Sequence, residues 1–249
     1  MNVKLSALAL GITLAYGMLS AAMAAEATIE QTGGASSAVI DQYNNDGSAV
    51  EATITTSGWD NTHSIDQTRS NRIWAEINSP GSGNTASIEQ SRLDYAGAHI
   101  YQAAHGSDAS IRQGSNSGMS PTFYPGYGWG GGNRDNSQWA HIYQNGGWGH
   151  DASIVQRGDR VKATIEQSGF YNTALVDQRG TGAAFNETEI TQSGTGQYTS
   201  VTQNGHDLMA RVNQSGLGNV ALVDQSGNGH TARVTQSGAF NFAQVTQSN

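Results

Sequence analysis

Side-chain amides are the most regular chemistry in this sequence. Gln31, Gln42, Gln67, Gln90, Gln102, Gln113, Gln144, Gln156, Gln167, Gln178, Gln192, Gln203, Gln214, Gln225, Gln236 and Gln247 follow one another mostly at steps of 11 or 12 residues, with Thr56 and Ser79 filling two gaps. An amide carries two donors and an acceptor, and it is costly to bury alone. The repeat makes sense only if each amide meets another at the same height. Other chemistries are poorly served. The chain has no cysteine, which removes thiolate nucleophiles, disulfides and zinc–thiolate sites. Glu30, Glu89, Glu166, Asp177 and Asp224 sit at repeat positions, so no carboxylate pair stands apart as a glycosidase needs. Serines fall in turns and outward places without a nucleophile-elbow motif. Of seven histidines, His99, His141, His105 and His150 make the best metal cluster, yet exposed His on a repeat is usually polar filler. The chain is read as a non-enzyme with no metal site and no cofactor.

The elements that position the amides follow from the spacing. Each of the 18 amide places has Ile or Val two residues before it, and in 15 units Ala stands two before that. A spacing of two is strand periodicity, so the three share one face. The predicted inward ladder includes Ile29 with Gln31, Ile40 with Gln42, Ile88 with Gln90, Ile165 with Gln167, Val176 with Gln178, Val212 with Gln214, Val223 with Gln225, Val234 with Gln236 and Val245 with Gln247. Between strands, Gly169, Asn172, Gly216, Asn219, Gly238 and Asn241 are read as turn residues, placed where φ turns positive. Pro80, Pro121 and Pro125 all fall outside the strand units. Two strands per coil give a rung of roughly 22 residues, and 18 units give nine rungs of an all-β parallel solenoid. A lone rung cannot fold, because ordering each residue costs roughly 1 to 2 kcal/mol against roughly 1.5 to 3 kcal/mol for each buried Ile or Val. Stacking pairs every interior strand and brings like side chains together.

Residues 1–24 read as a signal peptide, with Lys4, an apolar run from Leu5 to Leu19 and the small-x-small signal Ala22-Met23-Ala24. Repeats at 25–114 and 139–249 flank a Gly- and aromatic-rich insertion at 115–138. Beside the insertion, Ala98-His99-Ile100-Tyr101-Gln102 recurs as Ala140-His141-Ile142-Tyr143-Gln144. A duplicated rung of this kind places Tyr101 over Tyr143, and His99 over His141, on an exposed face. The net charge of −8, from 20 acids against 12 bases, argues against a nucleic-acid partner. No later segment is apolar for long enough to suggest a membrane span.

The segment Gln167-x-Gly169-x-x-Asn172-x-Ala174-x-Val176-x-Gln178 resembles the curlin repeat, and it recurs at Gln214 to Gln225 and at Gln236 to Gln247. Curlins are subunits of curli, the amyloid fibres of bacterial biofilms. The resemblance implies secretion, a homopolymer outside the cell at the bacterial surface, a second curlin as partner, and export through an outer-membrane curli-type channel. The chain has more repeats than the familiar five-repeat curlins, and its strand units begin at Ala27 without a Gly- and Asn-rich export segment. Several N-terminal turns carry Asn44, Arg69, Arg92, Ala104 or Ser115 where Gly is usual, so the N-terminal half is expected to be less amyloid-prone.

Only Ser248 and Asn249 follow the last Gln, so the stack is expected to be uncapped and extended by another copy. Asp41, Asp66, Asp177 and Asp224 stand outward, just before Gln, and read either as gatekeepers against premature assembly or as an ordinary solvated face. The alternative to a fibre subunit is a monomeric β-solenoid binding module or adhesin for ice, carbohydrate or a surface ligand.

Overall fold

The computed structural model describes residues 2–7, 12–16, 25–43, 45, 49–114, 137–181 and 184–249, the first two stretches by their backbone alone. Twenty strands follow in order: β1 Asn2–Ala7, β2 Ile12–Tyr16, β3 Ala25–Gln31, β4 Ser37–Tyr43, β5 Val50–Thr56, β6 Thr62–Thr68, β7 Asn71–Ser79, β8 Thr85–Ser91, β9 Asp94–Gln102, β10 Asp108–Gly114, β11 Gln138–Trp148, β12 Asp151–Gly158, β13 Val161–Phe170, β14 Thr173–Gly180, β15 Asn186–Thr195, β16 Tyr198–His206, β17 Met209–Leu217, β18 Val220–Asn228, β19 Thr231–Ala239 and β20 Phe242–Ser248. Odd strands form one ten-stranded sheet and even strands the other, each in chain order. The chain winds as a parallel β-solenoid with two strands per turn, as the spacing predicts.

Register is set by like residues meeting. Between β10 and β12, Ala109 faces Ala152, Ile111 faces Ile154 and Gln113 faces Gln156. A slip of one residue would turn every aliphatic outward, so the hydrophobic face fixes the pairing. The two inner faces close on one continuous core running from Ala27 to Val234, with Ala243 and Val245 packed against its end. Ile54, Ile100, Ile142 and Ile190 are fully buried within it.

Nine turns come from the repeat units. A tenth, made of β1 and β2, pairs in parallel with β3 and β4 and is built from residues expected to form the leader. Periodicity alone does not distinguish a short apolar leader segment from a buried strand. Of the expected insertion, 115–136 lie outside the described residues, while Gln138 is buried and opens β11. The stack is unbroken across it, since β9 pairs with β11 and β10 with β12.

The turns differ from the sequence reading in two respects: Gly169, Gly216 and Gly238 are the second-last residues of β13, β17 and β19 rather than turn residues, and the Asn positions are not left-handed. Gly169, Gly216 and Gly238 do have positive φ (99°, 110° and 99°), but Asn172, Asn219 and Asn241 do not. The left-handed residue is the one just before each Asn, namely Tyr171 (54°), Gly218 (62°) and Phe240 (55°). That twist aims the Asn side chain back at the turn, where its amide satisfies backbone groups. Asn172 Nδ2 donates to Ser168 O (2.8 Å), and its Oδ1 accepts from the Gln197 backbone N–H (3.0 Å). Asn219 Nδ2 likewise donates to Ser215 O (2.9 Å), and Asn241 Nδ2 to Ser237 O (2.9 Å). Arg69 and Arg92 hold positive φ (52° and 56°) without being glycine, at a cost of roughly 1 to 2 kcal/mol each.

Candidate functional site: two amide ladders

Each strand places its Gln at the edge of the aliphatic core, where a side chain two residues beyond Ile or Val still points inward. In the even sheet the amides form a continuous chain. Gln42 Nε2 donates to Gln67 Oε1 (2.7 Å), Gln67 to Gln90 (2.9 Å), Gln90 to Gln113 (2.8 Å) and Gln113 to Gln156 (2.8 Å). The chain goes on from Gln156 to Gln178 (3.0 Å), Gln178 to Gln203 (2.8 Å), Gln203 to Gln225 (2.8 Å) and Gln225 to Gln247 (2.8 Å). In the odd sheet it runs from Gln102 through Gln144, Gln167, Gln192 and Gln214 to Gln236, at 2.8–3.1 Å. Every one of these bonds donates from the earlier tier to the later one.

The second N–H of each amide does something the spacing could not reveal. It crosses to the backbone of the facing strand: Gln113 Nε2 donates to Gly97 O (3.2 Å), Gln178 to Lys162 O (3.0 Å), Gln225 to Met209 O (3.1 Å) and Gln236 to Val220 O (3.0 Å). One amide thus ties its tier to the next and also ties the two sheets together. Thr188 and Thr199, which replace Ala, join the same network. Thr188 Oγ1 accepts from Gln178 Nε2 (3.1 Å) and donates to Gln203 Oε1 (3.0 Å), and Thr199 Oγ1 bridges Gln192 and Gln214 (3.0 and 2.8 Å). The only sequence signal for this was a hydroxyl at an inward place.

The odd ladder is interrupted where Thr56 and Ser79 stand. Gln31 is buried with neither Nε2 nor Oε1 bonded, and Gln102 Oε1 on the far side of the gap is also unpartnered. His63 replaces Ala in β6 and is buried between Ala38 and Ala86, with neither ring nitrogen hydrogen-bonded. Burial pushes its pKa down to about 4.

On the outer faces, Asp41 faces Asp66 and Asp66 faces Glu89, so three acids stack before Arg112 ends the run by pairing with Glu89 (2.8 Å). Asp177 instead pairs with Arg157 (2.8 Å), and Asp224 lies between Thr202 and Thr246. The duplicated rungs place His99 beside His141 and Tyr101 beside Tyr143, half-buried rather than fully exposed. His105 and His150 lie in turns, and among the described residues no three His, Asp or Glu gather as metal ligands.

A solenoid whose tiers are joined by in-register amide chains is a repeat protein of cross-β type. The family model of the curlin associated repeat matches it three times, over residues 186–216, 205–238 and 218–248. The likeness to the curlin family rests on these C-terminal repeats, about a quarter of the chain. The comparison with curated proteins gave no match.

Proposed function

We propose that the chain is a structural subunit of secreted, extracellular curli-like amyloid fibres, polymerising end to end and serving biofilm matrix and surface adhesion. The observation that carries this reading is the last tier. Strands β19 and β20 each have a hydrogen-bonded neighbour on one side only among the described strands, and Phe242 is 65% exposed there. An edge of this kind is a template for a further strand. The residues that would act there are the ladder itself, with Val234, Gln236, Val245 and Gln247 offering aliphatics and amide donors to the next copy. Loss of residues 1–24 as a signal peptide would likewise leave β3 and β4 paired on one side, ready to receive them. A second curlin and an outer-membrane channel fit this reading as partners in nucleation and export.

The experiment is assembly of the purified chain from Ala25 onward, followed by thioflavin fluorescence and sedimentation. Wild type forms sedimenting, dye-positive fibres. Gln225→Glu and Gln236→Glu, which bury a charge in the ladder, slow growth far more than the outward change Arg233→Glu. A stable monomer at tens of micromolar without dye signal would instead establish the monomeric binding module.

A further inference from the structure

The outer face of the odd sheet carries a compact aromatic platform that the ladders do not use. Trp74, His99, Tyr101, Trp139, His141 and Tyr143 stand on three adjacent strands, β7, β9 and β11, all half-buried. Trp74 and Trp139 are two tiers apart in register, yet their ring centres lie only 6.4 Å from each other. The residue between them is Gly97, and a Cβ there would meet Trp139 Cζ3 and Trp74 Nε1 at 2.6 Å. Its φ is not positive, so the backbone does not demand glycine at this place. A glycine inside a strand weakens it by roughly 0.5–1 kcal/mol relative to Ala, and here it lets two indoles lie down over the sheet. Beside them the imidazole of His141 is parallel to the Tyr143 ring (interplanar angle 1°, centres 6.2 Å apart).

The platform continues into a cleft of about 530 Å³ lined by Trp139, His141, Lys162, Phe185 and Glu187. Trp139 and Phe185 give it aromatic surface. Lys162 and Glu187 are ion-paired at 2.9 Å, so together they add polar groups without net charge. Burial holds His99 and His141 below the ordinary imidazole pKa, with Lys162 adding to the effect at His141 and Glu76 opposing it at His99. An occupant suited to this surface has a flat apolar face, a rim of hydrogen-bonding groups and no charge. That is the chemistry of a hexopyranose, whose C–H face stacks on an aromatic ring while its hydroxyls bond to ammonium, carboxylate and imidazole.

We propose that this platform and cleft bind a neutral hexose oligosaccharide. A second copy of the chain is the poorer fit. The same rows carry Glu51 and Glu76 on one side of the rings and Glu189 and Arg211 on the other, so a dry sheet-on-sheet contact would bury charge within a tier or two. The proposal is independent of fibre formation, because every group it uses belongs to one chain.

The test uses the full chain from Ala25, assembled or not, with cellohexaose, laminarihexaose and maltohexaose as separate probes. Calorimetry and tryptophan fluorescence read binding; far-ultraviolet circular dichroism and thioflavin fluorescence report the solenoid. At least one hexasaccharide is expected to bind. Trp139→Ala and Gly97→Leu are each expected to weaken it by tenfold or more with the solenoid intact, while Tyr198→Ala on the opposite sheet leaves it unchanged. If Gly97→Leu disturbs the fold, Trp74→Ala and Trp139→Ala, whose rings lie outside the core, carry the test. No binding of any of the three sugars, or equal binding by the Trp139→Ala variant, overturns the proposal. So does a platform variant that alters only lateral association of the protein.

Discussion

Gln31 and Gln203 are the same residue type, each on the inward face of its own sheet, and they should respond oppositely to one substitution. Gln203 donates to Gln225 and to Glu187 O and accepts from Gln178 and Thr188, so Gln203→Met strands four buried partners. A loss of about 1 to 3 kcal/mol follows. Gln31 is buried with both polar atoms unbonded, so Gln31→Met removes an uncompensated amide and should be neutral or stabilising by about 1 kcal/mol. Hydrogen exchange of the flanking strands, or the urea midpoint of the folded chain, distinguishes the two. His63 belongs to the same scale. Its folded pKa of about 4 lies below the ordinary value of 6.5, so the unfolded chain takes up a proton that the folded chain resists. Stability is therefore full above about pH 6.5 and falls as pH drops toward 4, by about 3 kcal/mol in all. His63→Ala should flatten that stretch of the stability–pH curve. The amide pattern itself was plain in the spacing. The second N–H was not, because the backbone carbonyl it reaches lies on the facing strand and is set by the distance between the sheets.

Among the elements, the strands were legible and the turns only partly so. Period-two alternation of Ala, Ile or Val, and Gln allows one inward face, so β3 to β20 follow from it directly. Asn172 lies in the turn but not at its left-handed place. Asn is tolerated at positive φ and is equally at home bonding to nearby backbone; composition does not separate the two. The structure gives that conformation to Tyr171, a residue type that sequence rules would not choose for it. Two glycines show how unequal positive-φ positions are. Gly216 has φ 110°, and a Cβ there would come within 2.0 Å of Gly238 O, whereas Gly196 has φ 66° with open space around it. Gly216→Ala should cost roughly 3 kcal/mol or more, by backbone strain and collision with the next tier. Gly196→Ala should cost roughly 1 kcal/mol, the ordinary penalty of a left-handed alanine. Thermal unfolding of both variants checks the ratio.

For the whole molecule, the stacked acids Asp41, Asp66 and Glu89 make the N-terminal part of one outer face self-repelling. Asp66→Asn removes the central charge and should shorten the lag before fibre growth about two- to threefold at low salt. Added salt should shorten the wild-type lag and affect the variant less, since screening acts on a repulsion the variant has already lost. Turbidity or thioflavin time courses at two ionic strengths read both. The nine-rung stack was legible because like residues recur with like spacing; the extra tier formed by β1 and β2 was not, since leader and strand share an apolar signature. One further consequence follows from the amide chains. All of them point the same way, so a stack has an arrow: its forward terminus offers spare N–H and its rear one spare carbonyl oxygen. Filaments built from it would have unlike tips with unlike growth rates, broken pieces could heal only nose to tail, and an inverted molecule would set donor against donor.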